Sequence, residues 1–172
     1  MISTRIYSTA LLLSAFSFHA FAGTATATFN VTASVVAKCT IAATSPASLA
    51  YDPMSGTAIT GNGSLAIKCS KGTVANVDMS QGGGCTSGSR CMKSATTGST
   101  LNYSILQPPS NTPGSACTGA TTPWSSGSGT FKLTAAGNSS ARNYNVCISI
   151  PAGQDPSVAS DYTDSVTATV NF

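Results

Sequence analysis

From Thr24 to Val35 apolar and polar positions alternate without a break. Ala25, Ala27, Phe29, Val31, Ala33 and Val35 share one parity, and Thr24, Thr26, Thr28, Asn30, Thr32 and Ser34 share the other. Successive side chains of an extended strand point to opposite faces, so the first set predicts a strand with one apolar ridge. Phe29 is the largest side chain of that ridge and its natural anchor. Such a ridge needs a groove, and on alternation alone the ordinary reading is the first strand of its own domain.

Shorter runs of the same period recur down the chain. They are Leu65, Ile67, Cys69; Ala75, Val77, Met79; Leu101, Tyr103, Ile105; Phe131, Leu133, Ala135; and Tyr144, Val146, Ile148, Ile150. Each predicts a half-buried strand. Between them lie stretches that are loops by composition: residues 61–64 (GNGS), 81–84 (QGGG) and 107–129 (QPPSNTPGSACTGATTPWSSGSG). No window beyond the leader carries an apolar stripe of helical period, so the predicted class is all-β, and a sandwich suits the length. Near the end Val166, Ala168, Val170 and Phe172 again share one parity. A sandwich that stops inside this strand is expected to leave an edge open, and an exposed apolar edge must be covered. The chain therefore has a strand to spare at its front and lacks one at its back.

Composition changes this picture in three ways. Residues 1–22 read as a secretory leader: Arg5 gives a positive start, an apolar run from Ala10 to Phe18 follows, and Ala20-Phe21-Ala22 supplies small residues for cleavage. That run is too short to span a bilayer, and no later segment reaches the roughly 20 apolar residues of a membrane helix. The remaining 150 of 172 residues are the size of one domain. Removing the leader also removes Arg5 and the only histidine, His19, leaving seven Lys and Arg against five Asp and no Glu. A net charge of +2, scattered along the sequence, is no nucleic-acid or anionic-membrane footprint.

The six cysteines, in a chain expected to be exported, read as disulfides. Six allow fifteen pairings, so spacing alone does not decide. Parity helps: Cys39 continues the face of Val35 and Ala37, and Cys69 shares its face with Leu65 and Ile67. Pairing Cys39 with Cys69 closes a loop of about 30 residues and contributes roughly 3–4 kcal/mol in the chain-entropy view. Cys85 and Cys91, six apart in a Gly-rich stretch, suit a local loop, which leaves Cys117 with Cys147.

Catalysis has little to work with. Without Glu or a histidine beyond the leader, a Ser-His triad and the common zinc sites are excluded. Adjacent Ser70 and Lys71 point to opposite faces of a strand and make a poor dyad, while Asp161 and Asp164 are placed to cap the turn before the last strand. No cofactor, metal or enzymatic activity is expected.

Taken together, residues 150–154 (IPAGQ) followed by DYTDSVTATVNF to Phe172, with ATFNVTASVVAKCTI near the start and YDPMSGT (Tyr51 to Thr57) leading into GNGSLAIKC, resemble the spore coat protein U domain family. That domain is shared by pilin subunits of archaic, Csu-type chaperone–usher pili. The resemblance covers about Thr24 to Phe172. It departs where the family commonly has Gly-Arg before the Ile-Pro and this chain has Ile148-Ser149, and the cysteine pairs 85/91 and 117/147 are not general features of the family. The resemblance implies an incomplete immunoglobulin-like sandwich over residues 38–172, with residues 23–37 as a donor strand that fills the groove of a neighbouring subunit. The last strand, through Val166, Ala168, Val170 and Phe172, would border the receiving groove. The implied partners are other pilin subunits, a periplasmic chaperone and an outer-membrane usher, and the implied destination is an adhesive fibre on the cell surface. A self-contained secreted coat or matrix protein is the alternative. A tip adhesin fits less well, because such subunits carry a binding domain in front of the pilin domain.

Overall fold

The structure is a computed structural model and describes residues 22–85, 88–125 and 131–172. Two units divide the chain, one ending at Ser34 and the other running from Val35 to Phe172. Of the expected leader, residues 1–21 lie outside the described residues. In the first unit residues 22–34 form no strand and all are exposed, Phe29 keeping 88% of its surface in water. The alternating segment enters no ladder within the single chain.

In the second unit nine strands are described: β1 (Cys39–Thr44), β2 (Ile59–Cys69), β3 (Asn76–Met79), β4 (Arg90–Ser94), β5 (Thr100–Leu106), β6 (Phe131–Lys132), β7 (Arg142–Ile150), β8 (Tyr162–Thr163) and β9 (Ala168–Asn171). They form a six-stranded sheet in the order β1-β2-β7-β5-β4-β8 and a three-stranded sheet in the order β6-β3-β9. Every ladder is antiparallel. The period-two runs explain the core between the sheets. Leu65, Ile67 and Cys69 from β2, Val77 and Met79 from β3, Ile105 from β5 and Tyr144 and Val146 from β7 are all buried in one cluster. The fold is an all-β sandwich.

Three features depart from the sequence pattern. Strand β6 ends at Lys132, so Ala135 is exposed and Ala136 takes the inward place, its N–H donating to the Thr73 carbonyl at 3.1 Å. The stretch read as loop by composition carries Trp124, which is fully buried. Its indole Nε1–H donates to the Val77 carbonyl at 2.8 Å, its backbone N–H donates to the Ile105 carbonyl at 2.8 Å, and its ring lies 4.6 Å from that of Phe131. A large aromatic side chain with its one donor satisfied gains more from burial than the surrounding Gly, Ser and Pro lose in order. The third departure concerns the aspartates. Asp161 caps the turn between β4 and β5 instead, accepting from Ser94 Oγ at 2.6 Å, Thr96 N at 2.8 Å and Thr96 Oγ1 at 2.7 Å.

The cysteines join as Cys39–Cys69, Cys85–Cys91 and Cys117–Cys147. Cys39 and Cys69 face each other in the β1–β2 register. Cys147 is buried between Val146 and Ile148 in sequence but with the opposite parity, so its bridge to Cys117, with Asn145 Nδ2 donating to the Ser115 carbonyl at 2.8 Å, holds the middle of the 107–125 excursion on the outer face of β7.

Candidate functional site

Strand β9 pairs with β3 along one edge, Met79 opposite Ala168 and Val77 opposite Val170. Among the described residues its other edge has no ladder partner. Val166, Ala168 and Val170 pack against the core cluster yet stay only half-buried. The same incompleteness marks the facing sheet, where Ile148 carries the core parity of β7 but is half-buried beside fully buried Tyr144. Between these faces lies an open groove of about 830 Å³. Leu65, Ile105, Val146 and Ile148 line it from the large sheet, and Met79, Val166 and Ala168 line it from the small one. Of the four residues expected to border it, Val166 and Ala168 do so. Val170 packs into the core, and Phe172 lies beyond β9, 59% exposed.

Asp164 is the only charged side chain lining the groove among the described residues, and its charge is spoken for. Its Oδ2 accepts from Tyr103 Oη at 2.7 Å, while Oδ1 accepts from the backbone N–H groups of Gly83 at 2.7 Å, Gly84 at 3.0 Å and Ser165 at 2.8 Å. Burial and the Asp164 carboxylate together push the Tyr103 hydroxyl well above the usual tyrosine range, so it stays a donor. The QGGG stretch suits this latch. Gly82 has a φ of +84° and a Cβ there would run into the Asp164 carboxylate, while a Cβ on Gly84 would meet the Cys91 carbonyl.

Beneath the latch Arg90 is buried, donating from Nη2 to the carbonyls of Met79 at 3.1 Å, Ser80 at 2.8 Å and Trp124 at 2.6 Å. Burial lowers its pKa, an effect opposed by Tyr103 and Asp164 nearby. Arg90 thus ties the end of β3 to the Trp124 excursion. Sequence reasoning missed Arg90, Trp124 and Met92, a further groove residue on β4. A five-residue strand of mixed polarity carries no periodic signal.

Two of the quoted motifs, residues 51–57 and 150–154, meet at one end of the sandwich. Tyr51 Oη donates to the Gln154 carbonyl at 3.2 Å and accepts from its N–H at 2.9 Å. The Gln154 side chain grips the Asn102 backbone, Oε1 accepting at 2.7 Å and Nε2 donating at 3.0 Å. These bonds fasten the 51–57 and 150–154 loops over the start of β5.

Residues 25–169 match the Spore Coat Protein U domain. The chain belongs to the Spore Coat Protein U domain family. The matched span begins at the first residue of the alternating ridge and takes in all six cysteines, the groove and the first half of β9. No curated protein matches the chain. Among solved structures it is similar to the pre-assembly complex of the chaperone CsuC with the tip adhesion subunit CsuE, from archaic chaperone–usher Csu pili of Acinetobacter baumannii. The identity there is 22% over 80% of this chain and 40% of that chain, with a TM-score of 0.46.

In this Spore Coat Protein U domain the groove is lined by apolar side chains from both sheets. Ser70 Oγ donates to the carbonyls of Val36 and Lys38, at 3.3 and 3.4 Å, rather than engaging Lys71. No group of three or more His, Cys, Asp or Glu among the described residues is placed to hold a metal ion. No helix among them is long and apolar enough to cross a membrane.

Proposed function

We propose that the protein is a structural subunit of an archaic chaperone–usher pilus, polymerising by donor-strand exchange into a surface fibre used in attachment and biofilm. The observation that carries this reading is the unpaired edge of β9 beside an apolar groove, in a chain whose residues 24–35 alternate perfectly and are themselves unpaired. Main-chain bonds to a free edge give generic affinity, and alternate side chains entering the groove fix register. Ala25, Ala27, Phe29, Val31, Ala33 and Val35 would contribute roughly 5–8 kcal/mol of burial at the usual area coefficient. Residues 1–22 serve as the export leader, cleaved after Ala22. A periplasmic chaperone shields the groove before assembly, and an outer-membrane usher passes the subunit to the cell surface. The role is structural and not enzymatic.

Deleting residues 24–35 removes the donor but leaves the groove. Co-expressed with chaperone and usher and without a wild-type copy, this variant is expected to accumulate as chaperone-bound monomer and give no fibres by electron microscopy. Phe29→Asp is expected to do the same, because an unpaired charge forced into an apolar site costs several kcal/mol. Normal polymers from the deletion variant would mean that the strand serves its own domain and that the donor-strand mechanism is wrong for this protein. A self-contained coat or matrix domain would instead run as a monomer with or without the segment.

A further inference from the structure

Five of the seven cations beyond the leader come from distant parts of the sequence to one end of the sandwich. Cys39 faces Cys69 at the start of β1 and the end of β2, so Lys38, Lys68 and Lys71 cluster there. Arg142, the first residue of β7, faces Ile67 two residues from that end. The turn after β2 carries the chain into the other sheet, Thr73 N donating to Ser70 O at 3.1 Å, and β3 then begins at Asn76, which faces Lys132. At about 3.3 Å per residue, all five lie within roughly 10–15 Å of the same end along the strands. The four lysines are exposed. Of the aspartates Asp78 is the nearest, two residues from Asn76 on the same face of β3, its carboxylate accepting from Asn171 Nδ2 at 2.8 Å.

Three of the five aspartates gather at the opposite end. Asp52 and Asp155 sit in loops joined by the Tyr51–Gln154 bonds, and Asp161 caps the turn at the start of β5. Lys93, facing Thr163, is the one exposed cation near them. Asp164 lies farther in, close to Arg90. Lysines near an edge strand discourage edge pairing, which accounts for Lys38 and Lys68 but not for the segregation of the aspartates.

We propose that the basic end of one copy docks on the acidic end of the next, an inference that rests on the pilin reading. Two further observations fit this partner. The groove opens toward the acidic end, where Tyr51, Pro53 and residues 156–160 line it. The stretch from Val35 to Lys38, by which the leading segment joins the sandwich, lies at the basic end, held there by Ser70. Strand β9 runs from the acidic end toward the basic end, since its Asn171 faces Asn76. A strand added antiparallel to β9 therefore leaves the groove at the acidic end, carrying Lys38 of the donor copy toward Asp52 and Asp155 of the acceptor. A parallel donor would bring basic end to basic end. The charge segregation thus selects the direction of strand addition, steering the encounter more than deepening the final affinity.

The test compares self-assembly rates of the full chain, released from its chaperone, for four proteins: wild type, Lys68→Glu with Lys71→Glu, Asp52→Lys with Asp155→Lys, and the chain carrying all four changes. At low salt each two-site variant is expected to polymerise roughly tenfold or more slowly, and the four-site variant to recover most of the wild-type rate. In about 1 M salt, where charges are screened beyond ~3 Å, the four rates converge. A synthetic peptide of residues 24–35, which carries no charged side chain, reports the groove separately and should bind all four alike. Two-site variants that assemble at the wild-type rate, or a four-site variant that does not recover, overturn the docking. So does loss of adsorption to an anionic polymer in the lysine variant with assembly unchanged, which would make the basic end a polyanion site. If wild type neither assembles nor binds the peptide, the pilin reading falls, and this inference with it.

Discussion

The two sheets of the sandwich are held by different means. In the large sheet β2 and β7 pair over nine residues, from Ile59 opposite Ile150 to Ile67 opposite Arg142, and long ladders with alternating burial account for the order of its centre. The small sheet has strands of two to four residues, too short to be held by ladder bonds alone. Side chains hold it instead. Trp124 donates to the Val77 carbonyl, Arg90 donates to the Met79 and Ser80 carbonyls, and Asp164 ties the approach to β9 back to Tyr103 on the large sheet. The contrast teaches where a sandwich can do without a strand. The small sheet keeps β9 in place by anchors away from its free edge, and that edge stays available.

The strongest way to break this contrast is Trp124→Ala. Emptying the site leaves a cavity beside Phe131 and removes the indole bond to the Val77 carbonyl, and a loss of about 3–5 kcal/mol is expected in denaturant unfolding. Amides of β3 and β9 should then exchange with solvent well before those of β2 and β7. Equal loss of protection in both sheets would show that Trp124 serves the whole core and not the small sheet. Replacing Cys39 and Cys69 together by Ser acts on the large sheet. It is expected to cost about 2–4 kcal/mol, while β2 keeps its protection because its register with β7 does not depend on the bridge.

Tyr103→Phe removes one bond between the sheets and leaves the ring in the groove. Asp164 keeps its three backbone donors, so the cost is about 1–2 kcal/mol, and the expected local change is faster exchange at Gly83 and Gly84. The smallest effect concerns pH. Hydrogen bonds from Ser94 and then Thr96 pull Asp161 down to about 2 from an ordinary 3.8. A carboxylate lowered by folding contributes stability that is present above about pH 4 and is lost as pH falls through about 2. Melting temperatures of Asp161→Asn should therefore lie below wild type at pH 6 and approach it at pH 2. A constant gap across that range would mean that the capping bonds do not depend on the charge.

Much of the fold was legible because period two is written locally. Leu65, Ile67, Val77, Tyr144 and Val146 are buried where alternation puts them. Ala135 was misplaced because the chain leaves β6 after Lys132 and the parity shifts by one. Strands β4 and β8 left no periodic trace, being short and of mixed polarity. Asp161 was assigned to its own turn, whereas it holds another, and Asp164 bonds Ser165 in its own turn but also Gly83 and Gly84 far away, because a carboxylate's best donors are set by which loops arrive beside it.

By itself the sequence determined the all-β class, the parity of the long strands and the alternating ridge at the front, since each follows from the two-residue repeat of an extended backbone. It also carried the family, through motifs whose residues fasten loops to one another. Only the tertiary structure decided what nonadjacent segments do together: the burial of Trp124 inside a stretch of loop composition, the cation beneath the groove, and the gathering of Lys38, Lys68, Lys71, Lys132 and Arg142 at one end. Charges separated by up to a hundred residues have no local pattern. Their common address is fixed by the register of strands that antiparallel pairing brings side by side.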